Sequence, residues 1–208
     1  FFLYQSRWRP NFPMVHILPH WNWPDRIGRV TPVHVYTSGD EVELFLNGAS
    51  LGRRRKAPLQ YRLRWNEVIF EAGELLAIAY KAGKEWARAR VCTADAPFGL
   101  KLEPDRSHIR ADGRDLCFVT VSVVDKNGMG VPTSQAWVRF RISGPAELAA
   151  VDNGDATMLA SFHSSERPAF NGRALAGLRS QRNTPGPIEL AAHADGLGSA
   201  SVSLYAEE

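Results

Sequence analysis

From Glu41 to Leu46 the chain alternates, with Val42, Leu44 and Leu46 on one side and Glu41, Glu43 and Phe45 on the other. That is the period of two of a strand with one face in a core and the other near water. Asn47-Gly48 follows, two residues that accept positive φ as a tight hairpin turn requires, and Leu51 resumes the pattern. Similar signals recur to the C-terminus and no helix-period stretch of comparable length follows the first few residues, so the pattern predicts an all-β chain.

Taken in order, Val33/Val35, residues 41–46 and 50–56, Tyr61/Leu63/Trp65, Leu75–Tyr80 and Trp86–Cys92 predict about six strands. Ser38-Gly39-Asp40, Asn47-Gly48, Glu71-Ala72-Gly73 and Ala82-Gly83 supply the turns. Ala94-Asp95-Ala96-Pro97 reads as a joint. Beyond it, Leu100/Leu102, Ile109, Cys117–Val124, Val138–Ile142, Leu148–Val151, Ala174–Leu178, Ile188–Ala192 and Ala200–Leu204 predict seven or eight more. Within Phe118–Val124, the buried set is expected to be Val119, Val121 and Val123. Residues 156–173 do not read as strand and are long for a local turn, so they are expected to cross between sheets. Asp152-Asn153-Gly154-Asp155 resembles a calcium loop only superficially, because its oxygen ligands do not continue at EF-hand spacing; it reads as a turn.

Two segments near the N-terminus are less generic. Phe1, Tyr4 and Trp8 stand at helical spacing until Pro10 and Pro13 stop the run. A helix that short cannot hold itself, so it is expected to end something that continues upstream. Residues 14–24, MVHILPHWNWP, then put His16, His20, Trp21, Asn22 and Trp23 between and beside prolines that restrict the backbone. Rings held in such a loop can stack on the apolar face of a sugar or fill an interdomain contact.

Composition changes this picture little. The 208 residues are 44% hydrophobic and 23% charged, with 17 Gly and 13 Pro to serve turns, enough for one large β domain or two sandwiches of ordinary size. The net charge of +3 is partly local, in Arg53-Arg54-Arg55-Lys56 and Arg62/Arg64. With no reading element for nucleic acid, that run is read as a solvated strand edge. Cys92 and Cys117 form neither metal-ligand nor redox spacing and are expected to be two buried free thiols. No apolar run is long enough to span a bilayer as a helix, and no secretory leader pattern is present.

The motifs FFLYQSRW, MVHILPHWNWP, VHVYTSGDEVELFLNGASLG and ELLAIAYKAGKE, followed in order by VTVSVVDKNGMGVP, VDNGDA and AFNGRALAGLRS, resemble the C-terminal third of bacterial β-galactosidases of glycoside hydrolase family 2. The resemblance covers essentially the whole chain. Such enzymes carry a sugar-binding-like sandwich, an immunoglobulin-like sandwich and a (β/α)8 catalytic barrel, then further β-sandwich domains. It therefore implies two immunoglobulin-like β-sandwich domains in tandem behind a short remnant of a barrel helix. Residues 1–18 would be the end of the barrel and a linker, 19–96 the first trailing sandwich, and 97–208 a bacterial Ig-like, invasin-type domain.

Both catalytic glutamates of the family, acid/base and nucleophile, would lie upstream of Phe1. Residues 1–208 are then expected to hold no catalytic residue, cofactor or metal. Retaining hydrolysis needs two carboxyl groups about 5 Å apart, whereas Glu41, Glu43, Glu67, Glu71 and Glu74 read as solvated strand or turn positions. The implied partners are the upstream barrel of the same chain, a carbohydrate and a second copy in a homo-oligomer, with neither nucleic acid nor membrane. A periplasmic or secreted location is implied ahead of a cytoplasmic one.

Three readings compete. The chain braces a catalytic barrel and lends the His16–Pro24 loop to its rim; or it is a free-standing carbohydrate-binding module; or its Ig-like half is an adhesion or spacer module. Against the second, Trp65, Trp86 and Trp137 lie within strands, where core packing is the default. The third rests on residues 97–208 alone, and a sandwich fold does not fix function.

Overall fold

The computed structural model describes residues 1–208, which divide into two units, Phe1–Thr93 and Ala94–Glu208. The first opens with helix α1 (Phe2–Trp8) and continues through β1 (Val15–Leu18), a single 3₁₀ turn at Pro24–Arg26, β2 (Val33–Thr37), β3 (Glu41–Leu46), β4 (Ala49–Arg55), β5 (Leu63–Trp65), β6 (Glu74–Lys81) and β7 (Lys84–Cys92). One sheet has the order β1-β2-β5 and the other β4-β3-β6-β7, all antiparallel. Val33, Val35 and Leu63 from the first meet Val42, Leu44 and Leu75 from the second in one core, each at most 1% exposed.

The β3–β4 hairpin forms as its alternation requires: Val42, Leu44 and Leu46 are buried, and Asn47 and Gly48 turn with φ of 49° and 83°. β4 is a sheet edge. Its arginines line that edge, Arg53 paired with Glu41 at 2.6 Å and lying 3.7 Å over the Tyr80 ring. Charge there discourages pairing with another chain.

Within residues 1–18, expected to be the end of a barrel and a linker, Val15–Leu18 form β1. It pairs with β2 from Val15↔Thr37 to Leu18↔His34 and buries Ile17. Four residues between two turns carry too little periodicity to distinguish an edge strand from a connection.

The second unit contains β8 (Gly99–Pro104), β9 (His108–Arg110), β10 (Leu116–Val124), β11 (Trp137–Ser143), β12 (Ala146–Asp152), β13 (Glu166–Pro168), β14 (Arg173–Ser180), β15 (Gly186–Ala194) and β16 (Gly198–Glu207). Its sheets run β12-β14-β10-β8 and β13-β11-β15-β16-β9. Only β9 and β16 pair in parallel, through Tyr205↔His108 to Glu207↔Arg110. Cys117, Val119 and Val121 of β10 pack with Val138, Leu178 and Leu190 in the core between the sheets.

The stretch after β12 does cross from one sheet to the other, but it is not devoid of strand: β13 pairs with β11 before the chain returns at β14. Three residues ending in proline at a sheet edge give little sequence signal, and an edge is where proline is tolerated. Arg167 within β13 is 1% exposed. Its guanidinium donates to the carbonyls of Val151 (2.9 Å), Ala160 (3.3 Å) and Ser161 (2.6 Å), stapling the crossing loop to β12. Nearby, the Asp152 carboxylate receives the Asn153 and Gly154 N–H groups and the Asp155 carboxylate receives Thr157, as capped turns do. Both cysteines are free thiols, Cys117 buried but Cys92 only half-buried at the end of a strand.

Candidate functional site

The N-terminal aromatic segment is held by a polar latch. Ser38, at the end of β2, donates to the Phe12 carbonyl (2.6 Å) and receives the Trp86 indole N–H (2.8 Å) and the Met14 N–H (3.3 Å). The neighbouring Thr37 hydroxyl donates to the Met14 carbonyl at 2.8 Å. Lys81 bonds the Pro10 carbonyl and lies 4.6 Å over the Trp86 ring. Residues 10–14 are thereby tied to the sandwich, and α1 is carried on a fixed stem.

α1 itself buries only Ser6. Phe1, Tyr4 and Trp8, the stripe predicted from its spacing, are 85%, 55% and 76% exposed, whereas Phe2 turns toward β1 and is 42% exposed. Tyr4 and Trp8 lie 4.8 Å apart, and Arg7 stands 5.3 Å over Tyr61. These residues and Leu3 line a groove of about 460 Å³.

The five residues singled out in the sequence divide into three groups. His16, on β1, stacks on Phe2 of α1 at 3.7 Å and 18°, and faces Tyr36 across the strand pair at 6.4 Å. Burial lowers its pKa from the ordinary 6.5. His20 and Trp23 form a second stack, 4.4 Å apart and 17° from parallel, closed by the Trp23 indole N–H donating to the His20 carbonyl at 2.8 Å. Burial lowers the His20 pKa as well. Both rings are half-buried.

Trp21 and Asn22 point the other way. Trp21 is wholly buried, tilted against Phe70 at 4.8 Å, with its indole N–H on the Glu71 carbonyl at 2.8 Å. Asn22 is 7% exposed and donates to the Cys92 carbonyl at 3.2 Å, while the Thr93 hydroxyl donates to the Trp21 carbonyl at 2.6 Å. These two residues anchor the loop to the end of β7, and no face of Trp21 remains for a ligand. His16, His20 and Trp23 keep exposed surface. Sequence reasoning missed Phe2 and Tyr36, whose stacking on His16 depends on an (unpredicted) β1–β2 pairing.

The five glutamates singled out in the sequence lie at the surface of the first unit. Glu41 is paired with Arg53, Glu43 accepts the Ser50 hydroxyl at 2.7 Å, Glu74 lies 3.8 Å from Arg90, and Glu67 and Glu71 are exposed. Glu41, Glu43 and Glu74 are thus engaged by neighbouring side chains, and Glu67 and Glu71 face solvent.

Residues 100–203 match the family model described as glycoside hydrolase family 2 C-terminal domain 5. The chain belongs to the C-terminal region of glycoside hydrolase family 2. Residues 28–87 of this family 2 chain also match a domain of unknown function, DUF4982. Beta-galactosidase BoGH2A of Bacteroides ovatus is 39% identical over all of this chain, which spans 24% of that protein. A beta-glucuronidase of Formosa agariphila is 30% identical over 70% of the chain and 15% of its own length. The crystal structure of a beta-glycosidase from Bacteroides vulgatus superposes with a TM-score of 0.90 at 32% identity, covering 97% of this chain and 26% of that one. The family 2 chain thus spans between 15% and 26% of these three relatives.

Proposed function

We propose that this chain is the non-catalytic C-terminal accessory region of a retaining, β-galactosidase-type glycosidase, and that it braces the catalytic barrel of the same polypeptide. The observation that carries the reading is the uncovered aromatic face of α1 on its latched stem. A seven-residue helix gains too little from its own hydrogen bonds to persist in water, and burial of an apolar face is what normally holds such a helix. Phe1, Tyr4 and Trp8 form such a face, and the barrel is its proposed cover. The galactoside assignment draws on the printed name of the B. ovatus relative, and the match to relatives over only part of their length argues against a free-standing module.

Within this reading His16, His20 and Trp23 are the candidates for contact with the barrel or the rim of its sugar site, and Trp21 and Asn22 hold that loop in place. The test is a pair of measurements on Tyr4→Ser/Trp8→Ser. In residues 1–208 the melting midpoint should stay where it was, whereas in the longer enzyme the temperature of inactivation should fall by several degrees. Indifference of the longer enzyme would overturn the proposal, as would turnover of a nitrophenyl galactoside by purified residues 1–208.

A further inference from the structure

The outward face of the five-stranded sheet in the second unit carries a second constellation, separate from the residues of α1 and the aromatic loop. β11 alternates so that Val138 and Phe140 enter the core and Trp137, Arg139 and Arg141 face out. Trp137 is 54% exposed, although a tryptophan within a strand was expected to be core. Across the sheet Arg139 faces His193 and then Ser199, while Arg141 faces Ala191 and then Ser201. The short side chains at 191 and 201 leave a trough between longer neighbours. Arg139, Arg141, Ala191, His193 and Ser199 line it, with a volume of about 450 Å³.

The two arginines differ in their commitments. Arg139 is gripped by Asp195 through both terminal nitrogens, at 3.1 and 3.2 Å, and its Nε lies 3.5 Å from Glu166. His193 is fixed too, with Ser199 Oγ at 3.0 Å from Nδ1 and Asp195 at 3.3 Å from Nε2. Arg141 is exposed and makes neither an ion pair nor a side-chain hydrogen bond. The trough therefore presents one uncommitted planar cation beside prearranged polar groups. At the strand rise, the Trp137 ring stands roughly 13 Å along β11 from Arg141, room for more than one pyranose.

We propose that this face binds an acidic oligosaccharide segment, with Arg141 taking the carboxylate of a uronic acid and Trp137 stacking on the C–H face of a neighbouring sugar. Guanidinium matches carboxylate in a planar, two-bond geometry, and indole supplies an apolar platform with a polar edge. His193 and Ser199 are placed to meet ring hydroxyls. No residue of this site belongs to α1 or the aromatic loop, and, resting on the reading that the chain is joined to a glycosidase, the site would serve to hold glycan near that enzyme.

The test is a titration of ¹⁵N-labelled residues 1–208 with cellobiouronic acid, with cellobiose as the neutral counterpart and sodium sulfate as the bare anion. The expected result is saturable amide shifts confined to β11, β15 and β16 with the acid, and markedly weaker binding of cellobiose. Arg141→Ala should weaken the acid at least tenfold and leave cellobiose unchanged, and Trp137→Ala should weaken both. Neither side chain is buried, so an unchanged spectrum elsewhere will show that both variants fold. Absence of shifts, equal affinity for cellobiose, or equal shifts with sulfate alone would each overturn the proposal.

Discussion

Trp21 donates its indole N–H to the main-chain carbonyl of Glu71 at 2.8 Å, fifty residues away in sequence. That bond and the contact with Phe70 make the least generic stretch of the chain part of its first core. Trp21→Ala removes a fully buried ring and leaves a carbonyl without its donor. The expected cost is about 3–5 kcal/mol, read as a shift in the urea midpoint. Trp21→Phe should recover part of the packing but not the hydrogen bond, and so fall between.

Trp23→Ala should behave differently. Its ring is half-buried at the margin of the first core and stacks on His20, a pairing that adds about 0.5–1.5 kcal/mol to the area it buries. A loss of stability in residues 1–208 smaller than that of Trp21→Ala is therefore expected. If the loop reaches the sugar site of the longer enzyme, kcat/KM there should fall at an unchanged melting temperature; if it only packs against a neighbour, stability and activity should fall together.

Acid should weaken the first unit through its histidines. His16, His20 and His34 all have pKa values lowered from 6.5, each mainly by burial, with Arg62 and Arg64 adding to the effect at His34. Between the lowered folded values and 6.5 the unfolded chain binds more protons, so stability is flat above that value and declines as pH falls below it. Urea midpoints at pH 7.5, 6.0 and 5.0 should show the decline. His20→Phe should reduce it, because that substitution keeps a ring against Trp23 and removes the titration.

Thiol chemistry should separate the cysteines. Burial pushes the Cys117 thiol up to about 11, with Asp105 contributing, and raises Cys92 by less drastic burial with help from Glu74. Thiolate is the reactive form. At pH 8 a disulfide reagent should label half-buried Cys92 slowly and Cys117 only after denaturation, with intact mass reporting one adduct and then two.

Arg167 gives a further test. Its charge is buried with carbonyl oxygens and no carboxylate for company. Arg167→Leu should cost about 2–4 kcal/mol through stranded carbonyls and expose residues 156–165 to limited proteolysis. Arg167→Lys should not restore resistance, since one ammonium cannot replace a planar fork of donors.

Much of this architecture was legible because alternation and turn chemistry agreed. Val42, Leu44 and Leu46 turned inward, as did Val119, Val121 and Val123, and Asn47-Gly48 closed its hairpin. The failures are physical as well. β1 and β13 are short edge strands whose existence depends on distant partners. Trp137 shows a conflict between two signals: residue size favoured burial, whereas its register with Val138 and Phe140 required the opposite face, and register prevailed. In the aromatic loop, the sequence marked five residues as alike, but only the tertiary contacts distinguish core anchors Trp21 and Asn22 from the exposed stacks. Arg167 carried no local signal, since its three acceptors are main-chain atoms.

The parallel contact of β9 with β16 joins residues 108–110 to residues 205–207, almost the full span of the second unit. During translation, His108 through Arg110 must wait for nearly a hundred later residues to leave the ribosome before gaining that neighbour. Long separations of this kind slow folding, so the nascent unit stays open at this margin until the closing strand arrives, and a messenger cut short before codon 205 would leave it permanently unzipped.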